Sequence, residues 1–255
     1  MYCPDIESLS DFYKTPLGEV ACRVVRERIC EAWPDVGSGA RLAKPEHIAA
    51  IGYAAPYLEP LMADQDDKSG KNKSSYRFCS VMLPAHSSAR SSEGNQETVL
   101  MINEKDLPFE DEAVDRVMLI HSLEFSSNAS HFMREIWRVL NPGGKLLIVV
   151  PNRTGLWSRS DRTPFGHGRP YSLDQIKKLL TDSMFMLKTS EVLLYTPPTK
   201  ISLLLRASNM IERIGSTFLS PIGGILLAGA EKQLYSVTAE TITEKSGKLA
   251  TAADL

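Results

Sequence analysis

The chain has 255 residues, 43% of them hydrophobic, enough for one sizeable α/β core with or without appendages. Its 29 Lys and Arg nearly balance 31 Asp and Glu, which argues against bulk attraction to nucleic acid while leaving room for a local basic patch. The four cysteines, Cys3, Cys22, Cys30 and Cys79, are scattered with no CxxC pair, so neither a disulfide framework nor a metal centre is expected and a reducing, cytoplasmic compartment is the default.

The N-terminal segment is acidic and polar and lacks a signal-peptide core. Thr15 is placed to cap a helix begun by Pro16. Leu17, Val20, Ala21, Val24, Val25, Ile29 and Trp33 then recur at helical spacing, up to a stop at Pro34. His47 to Ala54 reads as a first strand with a turn at Gly52, and Pro56 to Met62 as the helix that follows. Tyr76 to Leu83 is a second strand ended by Pro84, flanked by polar stretches, Asp64 to Ser75 and His86 to Thr98, that are expected to be loops. Thr98 to Asn103 and Val114 to Leu123 are the third and fourth strands. Ser130 to Leu140 is a helix with Phe132, Met133, Ile136, Val139 and Leu140 as its apolar positions. Lys145 to Val150 is a fifth strand, whose apolar run fits the centre of a parallel sheet.

An Arg-, Gly- and Pro-rich segment runs on to Tyr171. Leu173 to Asp182 is then a helix, Met186 to Leu194 a strand, Ile201 to Phe218 an amphipathic helix and Ile225 to Tyr235 a last strand. No apolar run reaches the length of a membrane span; the nearest, Ile222 to Ala230, contains three glycines and reads as buried strand. The alternation predicts a single α/β domain over residues 1–237, built on a doubly wound, mostly parallel seven-stranded sheet, with a flexible tail over 238–255.

Ligands of open α/β sheets sit at the C-terminal ends of the strands, so chemistry is sought in the turns after strands one to four. The most informative stretch, Glu104 to Asn152, contains an acidic Leu107-Pro108-Phe109 turn, a strand opening at Asp115, a helix, the turn Asn141-Pro142-Gly143-Gly144 and an apolar strand. That order resembles the C-terminal half of the class I S-adenosylmethionine-dependent methyltransferases of the small-molecule, methyltransferase-11-like type. The resemblance extends roughly from Phe12 to Tyr235 and is specific from Glu104 to Tyr171. It implies a Rossmann-like methyltransferase fold, S-adenosylmethionine as cofactor, and methyl transfer to a small-molecule acceptor by direct in-line displacement, without a metal.

Residue by residue, the resemblance implies that Ile51, Gly52, Tyr53 and Ala54 border the methionine part of the cofactor. The motif there is degenerate: Ala50 replaces an acid, and Ala54 and Pro56 stand where further glycines are usual. If Ala54 had to be left-handed, the cost would be about 1–2 kcal/mol. Strand two ends Val81-Met82-Leu83-Pro84-Ala85-His86, with no acid for the ribose hydroxyls; losing such a hydrogen bond forfeits about 1.5–3 kcal/mol. Glu104, Lys105, Asp106 and Leu107 fall at the adenine side, with Glu104 and Asp106 competing to accept from the adenine amino group. His121 and Ser122 fall at the sulfonium side, and Phe125 stands where the family commonly has a histidine after Leu-Glu. His121 could act as a base or be merely hydrogen-bonded. Asp115 is expected to order the start of strand four, and the two glycines after Pro142 to permit the tight turn into strand five.

After strand five, Arg153, Trp157, Arg162, His167, Arg169 and Tyr171 crowd one loop, with Arg159 beside them. Between Asn152 and Pro170 four arginines face one acid, Asp161. Such a loop could hold a planar or anionic acceptor, or be a structural loop pinned by Arg–carbonyl hydrogen bonds. The catalytic candidates are His121, His167 and Tyr171. The rival reading is a catalytically inactive protein of the same fold that acts as a binding or regulatory partner. A nicotinamide dehydrogenase would need G-x-G-x-x-G after strand one and an acid after strand two, and has neither. The helix Ile201 to Phe218 could dock on a membrane or a partner, and is expected instead to be buried on the sheet. The oligomeric state is left open.

Overall fold

The computed structural model describes residues 4–37, 46–57, 76–82, 99–101, 106–218 and 221–233. The expected helix over 56–62 is described only to Tyr57. The polar stretches 64–75 and 86–98, residues Glu104 and Lys105, and the tail over 238–255 lie outside the described residues.

The chain opens with two helices, α1 (Ile6–Tyr13) and α2 (Pro16–Ala32). Asp5 caps α1 by accepting from the Ser8 N–H, and Thr15 caps α2 by accepting from the Gly18 N–H. Each such cap contributes about 1 kcal/mol. Pro34 ends α2 and also begins one further turn, α3 (Pro34–Gly37). The seven apolar positions read from the spacing, Leu17 through Trp33, are all buried.

The strands are β1 (Glu46–Gly52), β2 (Tyr76–Met82), β3 (Val99–Met101), β4 (Val114–Ile120), β5 (Leu140–Pro151), β6 (Phe185–Leu193) and β7 (Ile225–Lys232). They lie in one mixed sheet in the order β3-β2-β1-β4-β5-β7-β6. β1, β2, β3, β4 and β5 pair in parallel, and β7 runs antiparallel to both its neighbours, β5 and β6. Because β1 pairs with both β2 and β4, the chain leaves β1 toward one edge and returns beside it, so the strand order reverses there. This is the position at which open α/β sheets bind ligands.

Side chains on β4 and β5 alternate between two cores. Met118, Ile120, Leu147 and Val149 pack beneath α2, while Val117, Leu119, Leu146, Ile148 and Val150 pack on the opposite face. That second face is covered by α4 (Ala129–Val139) and α5 (Leu173–Asp182). Period-2 alternation with apolar residues at every position is what a sheet covered on both faces requires. Each fully buried Leu, Ile or Val contributes about 1.5–3 kcal/mol. Asp115 orders the start of β4 as expected: its carboxylate accepts from the His47 N–H at 2.8 Å and from the Asn141 amide at 2.6 Å. Gly143, with φ +71°, makes the turn inside β5.

The segment expected as one buried helix differs. Two short helices, α6 (Ser202–Arg206) and α7 (Ser208–Phe218), meet at Ala207. Leu203, Met210, Ile214 and Phe218 are exposed. The inner face of α7 is made of small and polar groups instead, Ser208 and Gly215 being its buried residues.

One buried charge was not singled out from the sequence. Arg116 on β4 is only 2% exposed. Its guanidinium donates to both oxygens of Asp35 on α3 and, at 2.5 Å, to Glu46 at the start of β1, and it lies over the Trp33 ring. The fork fastens the α2–α3 corner to the sheet. Hydrogen bonds from Arg116 hold the Asp35 carboxyl below the usual carboxylate range. With the folded value lowered, that contribution to stability is fully present above the ordinary carboxylate pKa and is lost as pH falls through the lowered value. Arg116→Met is expected to destabilise the fold by about 2–4 kcal/mol, because two half-buried carboxylates lose their counter-charge. Urea unfolding measures this, and the same variant should lose part of the acid-side decline in stability.

Candidate active site

The site begins with a backbone contact. Gly52 ends β1 with φ +95°, and a Cβ at this position would lie 1.9 Å from the Ile120 carbonyl oxygen. The Tyr53 N–H donates to that same oxygen at 3.0 Å. The glycine is therefore demanded by β4, whatever ligand binds nearby. Ala54 is buried and is not left-handed, so the strain considered for it does not arise.

β4 turns sharply at its end. His121 adopts φ +52°, a left-handed conformation that costs a non-glycine residue about 1–2 kcal/mol. A single 3-10 turn, Leu123–Phe125, follows. The turn buries His121, Ser122 and Glu124 completely. His121 Nε2 lies 2.7 Å from the Tyr13 hydroxyl, which lies 2.5 Å from the Tyr57 hydroxyl. His121 Nδ1 lies 3.4 Å from Glu124 Oε1, while Glu124 Oε2 accepts from the Ser122 N–H at 3.0 Å. Tyr53 stacks on Tyr13 at 5.7 Å, and Phe165 tilts against the His121 ring at 4.6 Å. Burial pushes both Tyr13 and Tyr57 well above the ordinary phenol range, so both stay neutral.

A carboxylate only accepts hydrogen bonds. Glu124 therefore favours a proton on Nδ1 and leaves Nε2 to accept from Tyr13, with Tyr57 donating to Tyr13 in turn. Tyr57, Tyr13 and His121 are thus linked by hydrogen bonds, while Glu124 faces Nδ1 across 3.4 Å without closing one, so that its contribution to the tautomer is electrostatic. Beside it the buried Ser122 hydroxyl makes no hydrogen bond among the described residues. A buried hydroxyl with unmet capacity calls for a partner.

The acidic turn lies farther along the sheet. Asp106 is exposed and Leu107 is buried. Arg138 of α4 donates to the carbonyls of Leu107 (3.1 Å) and Phe109 (3.0 Å), and Glu135 accepts from the Leu107 N–H at 3.4 Å. This clamp explains why the turn holds its shape, and neither residue was singled out from the sequence.

The loop after β5 crosses the end of β4. The Arg169 N–H donates to the Glu124 carbonyl at 2.8 Å, the Tyr171 N–H to the Pro151 carbonyl at 2.9 Å, and the Tyr171 hydroxyl to the Leu123 carbonyl at 3.4 Å. Asn152 donates its amide to the Pro221 and Gly223 carbonyls. The loop is thus pinned by backbone groups and Asn152, leaving Arg153, Arg159, Arg162 and Arg169 exposed. His167 is half-buried. Trp157 differs from its expected place against an acceptor: it is fully buried, donates its indole N–H to the Thr196 carbonyl at 2.8 Å and packs on Phe165. An indole that size stabilises most as core.

Of the residues singled out, the fold brings Tyr53, His121 and Ser122 together. It adds Tyr13, Tyr57, Glu124 and Phe165, which were not singled out as site residues. Glu124 carried one usable signal, its place directly after a strand's end; Tyr13 carried none.

Residues 71–148 match the profile of a family described as a methyltransferase domain. A Mycobacterium tuberculosis protein named as a probable S-adenosylmethionine-dependent methyltransferase is 33% identical over 90 residues, which are 34% of this chain and 32% of that protein. The match therefore spans about a third of the length of this curated relative. A Thermotoga maritima S-adenosylmethionine-dependent methyltransferase superposes with TM-score 0.51 at 16% identity, over 84% of this chain and 99% of its own. One from Archaeoglobus fulgidus gives 0.51 at 14%, over 82% and 93%. At these identities the two structures establish a shared fold. The chain thus resembles the S-adenosylmethionine-dependent methyltransferases in both sequence and architecture.

Two outcomes test the geometry. Gly52→Ala should destabilise the protein by at least about 2 kcal/mol, through collision with Ile120; thermal unfolding measures it. Nitrogen-15 NMR of the imidazole, in mildly alkaline buffer, should show His121 protonated at Nδ1. A proton on Nε2 would reverse the direction of these hydrogen bonds.

Proposed function

We propose that this chain is an S-adenosylmethionine-dependent methyltransferase on a doubly wound sheet, acting on a small-molecule acceptor by in-line displacement. The observation that carries the reading is the buried His121–Glu124 pair at the end of β4, beside the unbonded Ser122 hydroxyl. The residues present fit the methionine and sulfonium half of the cofactor. Glu124 supplies a buried carboxyl group, and Ser122 a hydroxyl with no partner among the described residues. Ile51, Gly52, Tyr53 and Ala54 would border the methionine part, and Asp106 and Leu107, with Glu104 and Lys105, the adenine. When bound, the cofactor supplies an electrophilic methyl group on a sulfonium.

The protein's own contribution is then alignment, exclusion of water and management of one proton. Glu124, facing Nδ1, would favour Nε2 as the accepting atom. Nε2 would accept the proton of the acceptor's attacking group, taking over the hydrogen bond that Tyr13 now makes. Tyr13, Tyr53 and Phe165 exclude water from that atom. Arg153, Arg162 and Arg169, exposed on a pinned loop with His167 and Tyr171, would orient an anionic part of the acceptor by bidentate hydrogen bonds.

A second reading, a non-catalytic binding partner of the same fold, is favoured by one feature: no acid stands between Val81 and His86. Calorimetry with S-adenosylmethionine and S-adenosylhomocysteine separates the two. Micromolar binding is expected, and no binding at millimolar ligand by folded protein would overturn the enzyme reading. With an acceptor found by screening, His121→Asn should lower turnover about 10²- to 10⁴-fold. Asparagine suits this test because it tolerates the left-handed backbone.

A further inference from the structure

The surface of the segment 200–218 is unlike the rest of the molecule. Leu203, Met210, Ile214 and Phe218 are between 48% and 78% exposed. Met210, Ile214 and Phe218, spaced four residues apart, lie on one stripe of α7, and Leu203 is exposed on α6 before the break at Ala207. The stripe is held outward by what lies behind it. Arg23 of α2 donates to Ser208 at 2.7 Å and also to Asn209. Gly215 abuts the Tyr195 ring so closely that a Cβ would lie 2.2 Å from it. Glu212 accepts from the Tyr195 N–H (3.1 Å), the Thr196 N–H (2.9 Å) and the Thr196 hydroxyl (2.8 Å).

That last set of contacts decides the charge. Glu212 is the sole acid of the segment and is turned inward, whereas Lys200, Arg206 and Arg213 are exposed. Glu27 and Glu191 line the groove behind α7 together with Arg28, which pairs with Glu191 at 3.6 Å, and the exposed Arg213 stands at the rim between that groove and the outward stripe. The outward surface is therefore apolar along its centre and cationic at its margins. Ile222 and Leu156 are also exposed.

We propose that this face docks on an anionic lipid surface, with the stripe set among the acyl chains and the three cations at the headgroups. The pattern is that of an interfacial helix: a large apolar face and a cationic polar margin whose long side chains reach back to the headgroups. None of the described helices is long and apolar enough to cross a membrane, so the contact is peripheral. The proposal is independent of methyl transfer, and its test needs no cofactor.

Flotation of the full chain with vesicles reads it directly. Binding is expected to phosphatidylcholine vesicles containing phosphatidylglycerol and not to phosphatidylcholine alone, and should weaken with added salt. Arg206→Glu with Arg213→Glu, and separately Leu203→Gln with Phe218→Gln, should each weaken binding by more than about tenfold. All four side chains are exposed, so unfolding temperatures should hold; the two pairs act by different physics and check each other. Failure to bind anionic vesicles, or binding indifferent to both pairs, would overturn the proposal. So would concentration-dependent dimers in sedimentation velocity that the apolar pair abolishes, because a second copy would then cover the stripe.

Discussion

Where β1 and β4 end side by side, the Gly52 backbone comes so close to the Ile120 carbonyl that no side chain fits between them. Much of the candidate site depends on that approach. The Tyr53 N–H closes a hydrogen bond to the same carbonyl, which fixes the turn out of β1 and brings Tyr53 and Tyr57 toward β4. β4 in turn reverses at once, and His121 takes a left-handed backbone to do so. The ring is thereby directed among Tyr13, Tyr57 and Phe165 instead of along the strand. One steric constraint thus sets the position of one ring nitrogen, and the Glu124 carboxyl group faces the other.

Such a site is costly in isolation. A left-handed histidine, a buried carboxylate and an unbonded buried hydroxyl each work against folding. The surrounding structure over-determines them. Two apolar layers sandwich the sheet, Arg116 fastens the α2–α3 corner onto it, and the loop after β5 binds the Glu124 backbone through the Arg169 N–H. Strain of this kind persists where neighbouring packing leaves the chain no alternative, and it concentrates where chemistry is done.

Charge is arranged with the same economy. The chain is nearly neutral, with a formal net charge of −2, yet its acids and bases are not mixed evenly. The acids that matter to the fold are turned inward: Asp35 and Glu46 to Arg116, Glu135 to Arg138, Glu212 to the Tyr195–Thr196 backbone. The arginines after β5 and along α6 and α7 are turned outward. A balanced total therefore says little about the local field, which is set by which partner each charge finds.

The sequence by itself determined the elements whose signal is local. Apolar spacing marked six buried positions of α2, Trp33 just beyond it and the buried face of α4, and the Asn-Pro-Gly-Gly turn marked the hairpin-like bend leading into the core of β5. It also pointed to Gly52, His121 and Ser122, because the ends of parallel strands are legible once the strands are. Tertiary structure alone decided the rest. Tyr13 meets His121 across 108 residues of sequence, a distance over which no periodic pattern carries information. Trp157 reads as an acceptor contact among its arginines and proves to be core. Amphipathicity in Ile201–Phe218 was legible, but not its direction: a hydrophobic stripe states that one helix face avoids water, and only the packing of Ser208, Glu212 and Gly215 against α2 and Tyr195 determines which face is left to meet it.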